Sequence, residues 1–264
     1  MSASPAAPAA PNRPETAIRE DAVLDGRVRL RQPVAGYRVA VDPVLLAAAV
    51  PARAGEHVLD LGTGVGGAAL CLLARVPGVR AVGLDLQADL VRLAAGNAVL
   101  NDAAFRPVAG DIAQPPFPAD SVDHVMANPP YLRPETARRS PDAARDRANV
   151  EGAAGLDTWI ATALRLVRPG GSVTFIHRAD RLDALLAFLH GRAGAIEVCP
   201  IWPRAGTPTE PGDAKRVVVR ARAGRRTPLR LAPGLALHDP GGGDSAAARA
   251  VLREARSLAD VHAL

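Results

Sequence analysis

Lysine is almost missing from this chain. Of the 32 basic residues among its 264, only Lys215 is a lysine, and the rest are arginine. A skew toward arginine and alanine is also what biased base composition produces, so the net charge of +5 and the pI near 10.1 argue only weakly for an anionic partner. Cysteine is nearly as scarce. Cys71 and Cys199 lie in apolar stretches with no metal-type spacing, which argues against a disulfide framework or a zinc site and fits a reducing compartment. No apolar run reaches the eighteen or so residues of a membrane span. The opening "MSASPAAPAAPNRPET" has neither a basic nor a hydrophobic signal region. The expectation is a soluble cytoplasmic protein.

What is present is one core with appendages. Residues 1–20 are rich in Ala and Pro and offer too little apolar surface to offset the entropy of ordering, so disorder is expected there. Residues 21–54 read as a hairpin turning at Asp25-Gly26, then a helix with Asp42 as N-cap and Pro43 at its first position. From residue 55 to 222, "HVLDLG", "AVGLDL", "VDHVMA" and "SVTFIH" alternate with helical stretches, which predicts a parallel sheet covered on both faces. Leu156, Trp159, Ile160, Ala163, Leu164 and Val167 recur at helical spacing and are expected in the core. Asp180 is expected to cap the next helix. "AIEVCPIW" and "KRVVVRARA" form an antiparallel final pair. In residues 223–264, "LRLAPGLALHD" reads as a further hairpin and "SAAARAVLREARSL" as a tail helix.

"DLGTGVGG" follows the first core strand and opens a helix. Its glycines allow a tight turn and aim free amides at a ligand. Gly62, Gly64 and Gly67 satisfy a dinucleotide pattern, whereas Asp60, Gly62, Gly64 and Gly66 satisfy the pattern of S-adenosylmethionine sites; both bind a nucleoside, and in both Asp85 meets ribose hydroxyls. Three details favour the methyl donor. Asp60 would repel a pyrophosphate but attract the cationic, amine-bearing end of that cofactor. Asp111, in "AGDI" after a third strand, can accept from an adenine amino group.

The third detail is "ANPPY". Asn128 ends the fourth strand, and prolines at 129 and 130 hold the corner extended and remove two N–H groups. The Pro129 carbonyl can then point outward beside the Asn128 amide oxygen. Two converging acceptors can grip both hydrogens of a planar amine and turn its lone pair toward a methyl group, work done by positioning and electrostatics. Tyr131 offers a stacking face for a flat base.

In this order, "LDLGTGVGG", "GLDL", "GDI" and "ANPPY" resemble a class I S-adenosylmethionine-dependent methyltransferase of the amino-methylating branch. The resemblance implies a doubly wound, mostly parallel, seven-stranded Rossmann-like α/β sheet with an antiparallel final strand. It implies S-adenosylmethionine contacts at Asp60, Gly62, Thr63, Gly64, Gly66, Asp85, Leu86, Asp111, Ile112 and Asn128, with Asn128, Pro129, Pro130 and Tyr131 catalytic and no metal. "QPVAGYRVAVDPVLLAAAV", "SPDAARDRANVEG" and "IHRADRLDALLAFL" are similar to bacterial tRNA1(Val) adenine-N6 methyltransferases. The inserted "TPTEPGD" and the long tails depart from that pattern.

If RNA is the substrate, the segment 204–230 supplies a contact surface. There Arg204, Lys215, Arg216, Arg220, Arg222, Arg225, Arg226 and Arg230 face only Glu210 and Asp213, with Arg133, Arg138 and Arg139 nearer the base pocket. A solvated edge strand would look the same. The alternatives are a protein glutamine-N5 methyltransferase of release factors, whose family carries a larger helical domain before the core, and a non-catalytic RNA-binding protein that keeps the cofactor site. The six histidines have no metal spacing and are expected to be packing or surface residues.

Overall fold

The computed structural model describes residues 17–35, 39–130, 154–206 and 212–262. It opens with an antiparallel hairpin of β1 (Ile18–Val23) and β2 (Val28–Pro33), followed by helix α1 (Val41–Ala49). The chain then alternates: β3 (His57–Leu61), α2 (Gly67–Arg75), β4 (Arg80–Asp85), α3 (Ala88–Leu100), β5 (Phe105–Ala109) and β6 (Val122–Ala127). After the residues outside the description come α4 (Leu156–Leu166), β7 (Val167–Arg178), α5 (Leu182–Leu189), β8 (Ala193–Arg204) and β9 (Arg216–Ala223). Two short strands, β10 (Arg230–Leu231) and β11 (Leu235–His238), and two short helices, α6 (Ala246–Leu252) and α7 (Leu258–His262), complete it.

The expected sheet is there: seven strands in the order β5-β4-β3-β6-β7-β9-β8, with β9 alone antiparallel to its neighbours. Alternate strand residues feed two cores, as the two-residue period of a strand requires. Val58, Met126, Ile176 and Val218 face α1, α2 and α3, whereas Leu59, Val125, Phe175 and Val219 face α4 and α5. Fully burying each such side chain contributes about 1.5–3 kcal/mol against exposure, and every one of these eight is buried. Those runs read as continuous hydrophobes because both faces of the sheet are covered.

Several details depart from expectation. The tail reading ran too far, since Ile18–Glu20 already belong to β1. Asp42 does not cap α1. The helix starts at Val41, and Asp42 pairs across the fold with Arg216 of β9 at 3.0 Å. Asp180 caps nothing either: it sits in a 3-10 turn (Ala179–Arg181) and pairs with Arg178, while Arg181 occupies the N-cap of α5. Val167 begins β7 instead of closing α4.

β10 and β11 do not form a hairpin with each other. Both add in parallel to the outer edge of β8, giving nine strands in all. β8 is twelve residues long and would otherwise leave a row of unpaired backbone groups. Gly234, with φ +85°, makes the link, because a side chain there would run into the Trp202 ring. The tail helix is split in two. Ser245 caps the first part by accepting the Ala248 N–H at 3.0 Å, and Ala255, with φ +60°, lies in the break.

Candidate active site

Strand register brings the motifs to one edge. Leu61 pairs with Ala127 and with Leu84, Asp85 with Ala109, and Ala127 with Phe175. The glycine loop, Leu86, Asp111 and Asn128 therefore all leave the sheet at its carboxyl edge, on both sides of the point where the strand order reverses between β3 and β6. Open α/β sheets bind their ligands in such a crevice.

The loop is fixed from below. The N–H groups of Gly62 and Thr63 both donate to the Leu84 carbonyl, at 2.7 and 3.1 Å, and Gly66 N–H returns to the Thr63 carbonyl at 2.9 Å. Gly62, Gly64 and Gly66 all have positive φ, at +67°, +56° and +88°. A Cβ on Gly62 would overlap the Trp159 ring, and one on Gly66 the Phe105 ring, so both are excluded twice, by conformation and by space. Gly64 differs: a Cβ there meets nothing within 4 Å, so its backbone borders open space. Trp159, expected only as core, is the floor of the loop.

Two carboxylates lie beneath this backbone. Asp60 is buried and accepts the Thr63 hydroxyl at 2.7 Å. Burial, with the nearby Asp85 charge, pushes its carboxyl up to about 7 despite the bonds from Thr63 and the Ala69 N–H. Asp85, also buried, is raised chiefly by burial. It accepts the Gly64 N–H at 2.8 Å and the Gln87 N–H at 2.9 Å. Neither has a cation within ion-pair distance among the described residues. Leu86 beside them is 73% exposed, an apolar side chain held in the open.

On the next loop Asp111 is exposed and accepts the Ala113 N–H at 2.8 Å through one oxygen, leaving the other free to meet a ligand. Ile112 is buried, and its carbonyl accepts the Thr162 hydroxyl at 2.8 Å, which anchors that loop to α4. Asn128 and Pro130 are half-buried and Pro129 is buried. Tyr131, Arg133, Arg138 and Arg139 lie outside the described residues.

Two site-supporting residues escaped sequence reasoning. Asn97 of α3 is wholly buried. Its amide nitrogen donates to the Val65 carbonyl in the glycine loop and to the Arg31 carbonyl, both at 3.0 Å, and its oxygen accepts the Arg31 N–H at 2.8 Å. Asn101, one turn on, pairs in the same way with the backbone of Arg29. The two amides thus extend the hairpin's hydrogen bonding onto α3 and tie it to the loop. The signal was a pair of asparagines four apart on the same face as Ala94 and Ala98.

His177 is the second. It is buried on β7, beside β6, and its Nδ1 accepts the Arg178 N–H at 2.8 Å. Burial, then the charge of Arg181, lower it to about 4, so near pH 7 the ring is neutral with its proton on Nε2. The Pro130 backbone carbonyl acts on the ring in the opposite sense by hydrogen bonding. The ring next to the second proline of the corner is thus buried and neutral.

Residues 58–147, which carry the glycine loop and the acidic strand end on the doubly wound sheet, match the family described as "Methyltransferase domain", whose cofactor is S-adenosylmethionine. More particularly, the chain is 34% identical over 153 residues to a release factor glutamine methyltransferase of Bordetella pertussis, covering 55% of this chain and 56% of that protein. It is 33% identical over 158 residues to a tRNA1(Val) (adenine(37)-N6)-methyltransferase of Porphyromonas gingivalis, covering 56% of this chain and 61% of that one. With the protein of the same name from Aeromonas hydrophila the identity is 29%, over 71% of this chain and 77% of that one. The chain thus spans little more than half the length of the first two relatives. Among solved structures, a predicted O-methyltransferase of Agrobacterium tumefaciens superposes with a TM-score of 0.66 at 24% identity, over 82% of this chain and 97% of that one; this likeness concerns the fold. No helix among the described residues is long and apolar enough to cross a membrane, and no cluster among them could hold a metal ion.

Proposed function

We propose that the chain transfers a methyl group from S-adenosylmethionine to the exocyclic N6 amine of an adenosine in RNA, with tRNA near the anticodon as substrate. The observation that carries this reading is the register of β3 with β6. Leu61 opposite Ala127 sets the glycine loop beside Asn128, which supports a donor site and an acceptor site at one level. The cofactor supplies an electrophilic methyl on a sulfonium.

The residues fit that group. Asp60 is a buried carboxylate that a cationic amine would draw into its charged form, Asp85 has lone pairs for ribose hydroxyls, Leu86 offers an apolar face for adenine, and Asp111 meets the adenine amine with Ile112 behind it. Thr63, Gly62, Gly64 and Gly66 shape the backbone around it. The amide oxygen of Asn128 and the carbonyl of Pro129 would accept the two N–H bonds of the target amine and orient its lone pair. Tyr131 would stack on the base. A loop base has to be splayed from its stack to arrive there.

Adenosine is preferred over glutamine on the extent of similarity. This chain covers 77% of the Aeromonas protein and 56% of the Bordetella release-factor enzyme. Exposed arginines at the edge of the sheet also suit a polyanion. The test is incubation with labelled S-adenosylmethionine and, separately, unmodified tRNA, rRNA and release factor, followed by digestion and mass spectrometry. N6-methyladenosine from tRNA is the expected product. Label on release-factor glutamine would transfer the reading to that enzyme, and cofactor binding with no label on any substrate would make the chain a non-catalytic binder.

A further inference from the structure

The basic segment 204–230 does not form one patch. β9 carries Arg216 at the carboxyl edge, opposite Arg178, and Arg222 toward the amino edge, opposite Ser172. Six residues at roughly 3.3 Å each separate them by about 20 Å. Much of the segment is also neutralised within the fold: Arg216 pairs with Asp42, and Arg220 and Arg230 share Glu197 at 2.9 and 2.8 Å.

The amino edge is different. After β9 the chain turns at Gly224, and residues 225–227 run back against β8. The Ala195 N–H donates to the Thr227 carbonyl at 2.9 Å, and Gly194 lies so close to the Arg225 carbonyl that a Cβ could not be inserted. That packing gathers Arg222, Arg225 and Arg226 beside Arg192, which precedes β8, and all four are exposed. Arg222 is braced by a bond to the Gly170 carbonyl at 3.0 Å. Arg192, Arg225 and Arg226 have no acidic partner among the described residues. Four guanidinium groups without counter-charge, held by a packed turn, attract closely spaced phosphates.

We infer that this cluster is a second RNA-docking surface, gripping the sugar-phosphate backbone of a helical arm at the edge of the sheet opposite the methyl-transfer corner, while the target loop reaches Asn128. The inference rests on the RNA reading above. A helix is the fitting occupant because its backbone carries regularly spaced phosphates from one edge of the sheet to the other, and none of the cluster's four side chains is an aromatic ring on which an unpaired base could stack.

The experiment compares wild type with R225E/R226E on full-length tRNA and on its isolated anticodon stem-loop, measuring binding across a salt series and methylation. Both side chains are exposed, so the fold should be unaffected, and a thermal melt verifies this. The expected result is at least tenfold weaker binding of full-length tRNA and a log Kd against log salt slope shallower by roughly one to two, with stem-loop methylation unchanged. Equal binding and slope for wild type and variant would overturn the inference while leaving the RNA reading intact. Wild-type protein that methylates release factor and not tRNA would overturn both.

Discussion

The two edges of the sheet treat their carboxylates in opposite ways. At the amino edge Asp123 meets Arg168 at 2.6 Å and accepts the His57 N–H at 2.7 Å, and Glu56 meets the His124 ring at 2.9 Å. His124 in turn bonds the buried Ser172 hydroxyl at 2.8 Å, so one imidazole links β3, β6 and β7. At the carboxyl edge Asp60 and Asp85 are buried with neutral partners, hydroxyl and amide, and burial raises both. Paired charge at one edge holds strands together. Carboxylates without cations at the other edge are costly to charge, a cost that a cationic, hydroxyl-bearing ligand would relieve. A Ser–His–Glu chain like that at the amino edge can suggest a hydrolase, but Ser172 is fully buried and has no access to a substrate.

The sharpest way to break this comparison is at the corner itself. Asn128→Ala removes one of the two proposed acceptors and should lower single-turnover methyl transfer about 10²- to 10³-fold, with cofactor affinity within a few-fold of wild type by calorimetry. Transfer at the wild-type rate would remove Asn128 from the chemistry. Next in size is Asp60→Asn, which is expected to weaken cofactor binding at least tenfold and yet stabilise the empty protein. The folded carboxyl titrates near 7, above its unfolded value of 3.8. The charged form therefore costs stability increasingly as pH rises from about 4 to 7, and the amide removes that cost. A thermal midpoint higher than wild type at pH 8, but not at pH 4, is the signature; each kcal/mol corresponds to roughly 2–4 °C in a chain of this class of size. The same linkage makes cofactor affinity rise with pH up to about 7.

The amino edge should behave in the opposite way. His124→Ala strands the Ser172 hydroxyl and the Glu56 carboxylate and is expected to cost about 1–3 kcal/mol, with the cofactor dissociation constant of the folded protein unchanged. The pH sense is reversed. Burial lowers the folded pKa of His124, and the bond from His124 helps hold Glu56 low in spite of its own burial. Both contributions are present above the unfolded values of 6.5 and 4.5 and fade as pH falls. Urea midpoints for wild type and variant should therefore converge in acid.

The candidate site was legible in the sequence where it is local. Asp60 through Gly67 are contiguous, the turn they make needs positive φ at fixed offsets, and Asn-Pro-Pro reads as a stiff corner from its own chemistry. What the sequence hid is long-range. Helical spacing shows that Trp159 is buried but not that its ring fills the space under Gly62, 97 positions earlier. Turn residues between "LRL" and "LALH" predict a hairpin, because nothing local reports that the longer β8 edge competes for both strands. The arginines of segment 204–230 look alike as a string; only strand direction separates Arg216 at the carboxyl edge from Arg222, about 20 Å away toward the amino edge.

The smallest expected effect concerns the contact that replaced a supposed helix cap. Asp42 and Arg216 join α1 to β9 at the carboxyl edge, but the Arg216 side chain is 33% exposed, so the pair is screened and is worth about 0–1 kcal/mol. A genuine N-cap lost to alanine would typically cost about 1 kcal/mol regardless of salt. Asp42→Ala should therefore shift the melting temperature by no more than a few degrees, and raising the ionic strength should erase most of the difference. A shift that persisted in high salt would point to helix capping after all. A loss of methyl transfer larger than the loss of stability would instead place this pair with Asp60 and Asp85, extending the functional edge of the sheet by two strands toward β9.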